Sequence, residues 1–122
     1  MAGMSYPSRF WADLSTRDFA EARTWGLAAQ TVAVLPVAAV EQHGPHLPVG
    51  TDYLTVEHLA REAAGIAADQ ISVVVAPTLP FGSSHHHIPF GGTMSLSTEG
   101  YYRIVTELAE SLIQGGIGRF SL

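Results

Sequence analysis

Two short apolar runs, each followed by a loop and then by a helical pattern, restrict the fold of this chain more than any other feature. Residues 31–39 and 71–77 are rich in valine and alanine and are almost free of polar side chains. Continuous apolar strands of this kind are typical of parallel sheets, which are covered on both faces. Pro36 lies within the first run and predicts that the strand leaves the sheet ladder there.

Three segments have helical spacing and the end signals of helices, and a third strand begins near the end of the sequence. Ser15 and Asp18 form a pattern related to the capping box, and Gly115 and Gly116 provide a C-terminal stop. The predicted helices are residues 15–26, 51–68 and 97–114, and the predicted third strand starts at residue 119. This order predicts a single domain, residues 1–122, with an α/β layered fold and a mainly parallel sheet whose crossovers are right-handed. Residues 1–11 are predicted to be a loose arm.

Apolar side chains at helical spacing predict which faces of the two long helices are buried. For the second helix these are Leu54, Leu59, Ala63, Ile66 and Ala67. For the third helix they are Tyr101, Ile104, Val105, Leu108, Ala109, Leu112 and Ile113.

Composition excludes several classes of function. The 122 residues are 47% hydrophobic and 14% charged with a net charge of −5, which is typical of a globular protein. Lysine is absent and the arginines are scattered, so we expect no nucleic-acid partner. Cysteine is also absent, so a metal ion would need His, Asp or Glu ligands. Neither a signal peptide nor a membrane span is apparent, and we expect a cytoplasmic protein without a membrane partner.

Residues 41–52 supply two carboxylates and two imidazoles directly after the first predicted strand. Glu41 and His43 are two residues apart, so their side chains point to the same side if the backbone is extended. Glycines and prolines then favour a stiff, bent loop that ends at Asp52. These donors suit zinc or manganese, and we predict a divalent-metal centre built on Glu41, His43 and Asp52. The alternative for Asp52 is a plain helix N-cap.

The run EQHGPHLP-x-x-TD resembles the signature of the creatininase (creatinine amidohydrolase) family. A second run, GSSHHHIPFGGTMSL, is similar to another motif of that family, and the resemblance extends from about residue 14 to the end of the sequence. It implies a layered α/β/α fold and a metal-dependent amidohydrolase. The activity implied is hydrolysis of a C–N bond in a small cyclic amide, formamide or peptide-like molecule by a metal-activated water. The resemblance also implies Glu41, His43 and a bridging Asp52 as ligands of two ions of zinc, manganese or iron, and a homo-oligomer.

The second motif contains three consecutive histidines, and aligning it on the family pattern selects His87. We predict that His87 contacts the substrate or transfers a proton. His85 and His86 are interpreted as solvated loop residues. His46 is interpreted as a loop histidine bonded to nearby backbone, and His58 as a surface or packing residue of a helix.

The resemblance also implies later family motifs, which this sequence does not contain. Chains of the family are about twice as long and carry an N-G-H motif after the third strand, whose histidine binds metal. We therefore expect the sheet to stop after the start of the third strand and the domain to be incomplete at its C-terminus. Two hypotheses follow, a piece of a longer amidohydrolase or a non-catalytic α/β fragment that binds metal weakly or serves assembly only.

Overall fold

Three short parallel strands form a sheet with helices packed on both faces. The computed structural model describes residues 4–122, and the strands are β1 (Val32–Val34), β2 (Val73–Val75) and β3 (Arg119–Ser121). Their order in the sheet is β2-β1-β3, and both pairs are parallel. The predicted α/β fold with a parallel sheet is confirmed. The single-domain organisation stays a prediction.

Four helices connect the strands or precede them: α1 (Thr16–Thr24), α2 (Leu27–Gln30), α3 (Thr51–Ala67) and α4 (Thr98–Gln114). The capping box of α1 is present, because the Ser15 side chain accepts from the Asp18 amide while the Asp18 carboxylate accepts from the Ser15 amide. Ser97 caps α4 through the amide of Gly100. The predicted starts of these two helices are therefore confirmed. The four-residue helix α2 was not predicted, and it begins after Gly26, whose φ of 79° requires glycine-like freedom.

The two faces of the sheet are covered by different helices. Ala33 lies opposite Val74 in the register, so these two side chains share one face, and Ala33 packs there in a cluster with Leu112 of α4. Val73 and Val75 point to the other face and pack against Ala64 of α3. The core is thus a thin sheet between α3 and α4.

The strands are shorter than the apolar runs predicted. The β1 ladder ends at Val34, because Pro36 has no amide hydrogen to donate to a neighbouring strand. Beyond it the chain makes isolated bridges, among them those from Val37 to Leu79 and from Val40 to Met94. The chain thus stays extended after the sheet, and the second of these bridges joins it to the second motif.

The predicted buried face of α3 is wrong except at Ala67, which packs against the cluster of Ala64 with the valines of β2. Leu54, Leu59 and Ile66 are exposed by 57%, 59% and 78%, whereas Ala64 is exposed by only 2%. The helix approaches the valines of β2 through alanines, so its larger apolar side chains point outward. On α4, Ala109 and Leu112 are buried as predicted, but Leu108 and Ile113 are exposed by 38% and 57%.

The predicted loose arm is also wrong over its last residues. The carbonyl of Arg9 accepts a hydrogen bond from the Val75 amide, and Phe10 bridges to the same strand. Trp11 lies in a 3-10 helix, Trp11–Asp13, and packs against the cluster that contains Ala33. Residues 1–3 of this arm lie outside the described residues. Within residues 4–122, no helix has both the length and the apolar character needed to cross a membrane.

Candidate metal centre

The first motif forms a closed loop between β1 and α3. The Glu41 amide donates to the carbonyl of Val49 at 3.1 Å, and His43 bridges to Leu47. Helix α3 begins directly afterwards, with Gly50 at the cap position and no side-chain cap. The N-cap alternative for Asp52 is therefore wrong, because Asp52 lies inside the first helical turn and its carboxylate can face the loop.

The loop brings Glu41, His43 and Asp52 together. One donor atom from each of these side chains lies within 4.8 Å of the other two. Their side chains are partly buried, with exposed fractions of 19%, 24% and 41%. A carboxylate, an imidazole and a second carboxylate at this spacing form a donor set that zinc or manganese accepts.

Hydrogen bonding determines which nitrogen of His43 is available to a ligand. The Nδ1 atom lies 3.1 Å from the backbone carbonyl oxygen of Glu41, which can only accept. Nδ1 therefore carries the hydrogen, and Nε2 presents its lone pair in the neutral imidazole. This Nε2 lies 3.3 Å from Oδ1 of Asp52, so two acceptors face each other unless a proton or a cation lies between them. The residues present fit a divalent cation.

The pKa values of this cluster shift in opposite directions. The pKa of Glu41 is lowered, chiefly by the side chain of Ser84 and further by Asp52 and the nearby imidazoles. The pKa of His43 is raised, first by the hydrogen bond to the Glu41 carbonyl and then by the carboxylates of Asp52 and Glu41. Both shifts favour the charged forms; a hydrogen bond is the largest cause of each, and the opposite charges nearby act in the same direction.

The second motif lies against the first and contributes His87. Nε2 of His87 lies 3.7 Å from Oε2 of Glu41, and its Nδ1 lies 2.7 Å from the side-chain nitrogen of Gln42. Thr93 adds a backbone link, because its hydroxyl accepts from the Gln42 amide at 3.0 Å and donates to the His87 carbonyl at 3.2 Å. Gln42 and Ser84 were missed by the sequence reasoning, although Gln42 lies inside the motif that identified its neighbours.

The other histidines lie outside the cluster. His85 contacts Ser95 Oγ at 2.9 Å, and the His86 ring lies 4.0 Å from the His87 ring. His46 is exposed, and its side chain makes no hydrogen bond among the described residues, so the predicted contact with nearby backbone is not made. His58 is exposed on α3.

A cavity of about 330 Å³ opens beside the centre. Gln42 connects this cavity to the cluster, and Phe90, which is exposed by 72%, forms an apolar wall. The remaining lining residues are Gly44, Pro45, Val49 and Gly91. Two larger cavities, of about 390 Å³ and about 400 Å³, are lined by residues outside both motifs.

The sequence and the fold both match known proteins. A mycofactocin precursor peptide peptidase of Mycobacterium tuberculosis (strain CDC 1551 / Oshkosh) is 34% identical over 84 residues, which cover 64% of this chain and 34% of the relative. A solved creatinine amidohydrolase (creatininase) superposes with a TM-score of 0.78 at 28% identity. A structure described as creatininase Mn superposes with a TM-score of 0.79 at the same 28% identity. Each of these two alignments covers 93% of this chain and 43% of the solved chain.

Further solved structures of mutant creatininases match as well. One is described as the Zn-Zn type and another as complexed with creatine. The chain spans less than half the length of these solved proteins and about a third of the curated relative. The sequence profile of the family described as creatinine amidohydrolase matches residues 12–122. The resemblance is thus confirmed, and the chain belongs to the creatininase family.

Proposed function

We propose that this chain provides the Glu41, His43 and Asp52 ligands of a metal-dependent amidohydrolase. The contact between His43 Nε2 and Asp52 Oδ1 carries the proposal, because two acceptors 3.3 Å apart need a cation or a proton between them. Membership of a family whose solved members include zinc and manganese forms supports a divalent ion.

Each ligand of the proposed centre is oriented by contacts within the chain. The carbonyl of Glu41 holds the His43 ring with Nε2 outward, and the first turn of α3 fixes Asp52. Ser84 is buried, and its side chain stabilises the ionised form of Glu41. Such partners reduce the cost of arranging ligands around an ion. A divalent ion held there supplies Lewis-acid activation of water and of an amide carbonyl.

We propose a peptide-like amide as the substrate, in preference to a small cyclic amide or a formamide. The cavity beside Gln42 has an apolar wall of Phe90, Pro45 and Val49, which suits an apolar side chain next to the amide to be cleaved. The curated relatives act on a precursor peptide according to their names, which agrees with this preference. His87 would contact the substrate from the side of Glu41.

Hydrolysis of short peptides and of creatinine by the manganese-loaded and zinc-loaded protein tests the substrate class. We expect release of amine from an apolar peptide, a loss of this activity in Phe90→Ser, and unchanged activity in Tyr102→Ser, which changes an exposed aromatic residue on α4. Faster turnover of creatinine than of every peptide would contradict the preference.

A non-catalytic fragment that binds metal weakly is the second candidate function. The cluster found among residues 4–122 offers only three ligand side chains, and the Asp52 side chain is 41% exposed. An ion with few protein ligands and open access to water is held less tightly than one in a closed site. A bound ion without amide hydrolysis would favour this alternative. A homo-oligomer, two ions per site and a cytoplasmic location stay predictions.

A further inference from the structure

We propose that Gln42 is a positioning residue that holds His87 as its Nε2–H tautomer and directs this N–H toward Glu41. The consequence for the metal ligand Glu41 rests on the proposed function. The assignment of the tautomer does not, since it follows from hydrogen bonds within the chain.

The orientation of the Gln42 amide group follows from its contact with a backbone donor. Oε1 of Gln42 lies 3.0 Å from the backbone nitrogen of Gly44, and a backbone N–H can only donate. The atom facing Gly44 must therefore be the amide oxygen. The NH₂ end of the same group then faces His87, with Nε2 of Gln42 2.7 Å from Nδ1 of the imidazole.

This contact fixes the position of the proton on His87. An NH₂ group donates, so Nδ1 must accept and carries no hydrogen in the neutral ring. The hydrogen of the neutral imidazole is then on Nε2, which lies 3.7 Å from Oε2 of Glu41. A small rotation of either side chain would close this distance to a hydrogen bond, because the usual N–H···O separation is about 3 Å.

Both partners are held by the backbone as well as by their side chains. The Thr93 hydroxyl accepts from the Gln42 amide and donates to the His87 carbonyl, so it links the two residues a second time. The side chains of His87 and Glu41 are exposed by only 26% and 19%, so water competes weakly with these contacts.

The two histidines of the centre consequently have different roles. His43 donates from Nδ1 and presents a lone pair at Nε2, which suits a metal ligand. His87 accepts at Nδ1 and presents an N–H at Nε2, which suits a partner that orients the Glu41 carboxylate. The neutral His87 has no free lone pair on the side of Glu41, so it cannot act there as a base. On that side His87 therefore donates a hydrogen bond to Glu41 or to a substrate, and it neither abstracts nor releases a proton there.

Long-range ¹H–¹⁵N correlation spectra of the metal-free protein test the assignment. At about pH 8.5, two units above the ordinary imidazole pKa of about 6.5, the spectra distinguish the two neutral tautomers. The His87 signals are identified by their absence in His87→Gln, and exposed His58 provides a reference for a ring without restraint. We expect His87 to show the pure Nε2–H pattern. A pure Nδ1–H pattern or the mixture seen for His58 would overturn the proposal.

Gln42→Glu provides a nearly isosteric second test. The carboxylate can still accept from Gly44, but it can no longer donate, so Nδ1 of His87 must become the donor. We expect the pure Nε2–H pattern to be lost and Nδ1 to gain a proton, whereas Gln42→Ala should give a mixture like that of His58. An unchanged His87 pattern in a folded Gln42→Glu protein would overturn the proposal. Since no metal is added, this failure is distinct from a failure to bind metal.

Discussion

Replacing Gly82 by alanine should displace the start of the second motif. A Cβ atom at this buried position would lie 2.8 Å from the carbonyl oxygen of Ala38, whereas ordinary contacts begin at 3.4 Å. The chain would have to move by about 0.6 Å, against a hydrogen bond of 2.9 Å from the Leu96 amide to the Gly82 carbonyl. Overpacking of this kind costs about 1–3 kcal/mol, and we expect a loss of unfolding free energy in that range.

Urea unfolding followed by circular dichroism measures this loss, and Gly65→Ala is the matched control. Gly65 lies within α3, and its added Cβ would meet nothing outside the helix closer than Arg9 Nη2 at 3.8 Å. We expect the control to gain about 0.5–1 kcal/mol, because alanine loses less backbone freedom in a helix than glycine does. A Gly82→Ala protein as stable as the wild type would refute the close approach of the second motif to residues 38–39.

Three further substitutions test the fold. Val74→Ala removes two carbon atoms from a side chain with 0% exposure, which should lower the unfolding free energy by about 2 kcal/mol, and a urea midpoint equal to that of the wild type would contradict the burial of Val74 in the core. Asp18→Asn tests the capping box, since bonds from Ser15 lower the Asp18 pKa below 3.8 in the folded state. The ionised Asp18 therefore stabilises the folded protein at pH values above its pKa. The difference in unfolding free energy between the wild type and Asp18→Asn should shrink as the pH falls from about 5 to about 2. A difference that stays constant over this range would argue against this cap. Gly118→Ala would drive Cβ into the backbone carbonyl of Ala29, so we expect β3 to detach, which hydrogen exchange at its amides would report as lost protection. Retained protection would be the contrary result.

The sequence could predict the order of the elements and the identity of the candidate ligands. The apolar runs, the Ser15 capping pattern and the two glycines after α4 are local signals, and the fold uses each of them. Glu41 and His43 could be proposed from their spacing and residue type, and the resemblance to the family motif selected them. The contact of Asp52 with His43 depended on how the loop closes, and the motif indicated that closure through its glycines and prolines.

Other features depended on tertiary contacts that no local pattern contains. One side of helix α3 carries leucines and another carries alanines. The side with alanines is buried, because β2 packs closely against it. Gln42 carries no charge and is a weak signal in sequence, yet it contacts His87 across 45 residues of chain. Ser84 is buried beside Glu41 only because the second motif packs against the first.

The central claim is that Glu41, His43 and Asp52 hold a divalent ion. Elemental analysis of the purified chain after incubation with zinc or manganese and removal of the unbound metal tests it most directly. The comparison is with a Glu41→Ala, Asp52→Ala double variant and with Asp69→Asn, which removes an exposed carboxylate elsewhere. We predict about one or more ions per chain in the wild type and in Asp69→Asn, and a loss of metal in the double variant. Equal metal content in all three proteins, or none in any of them, would contradict the account.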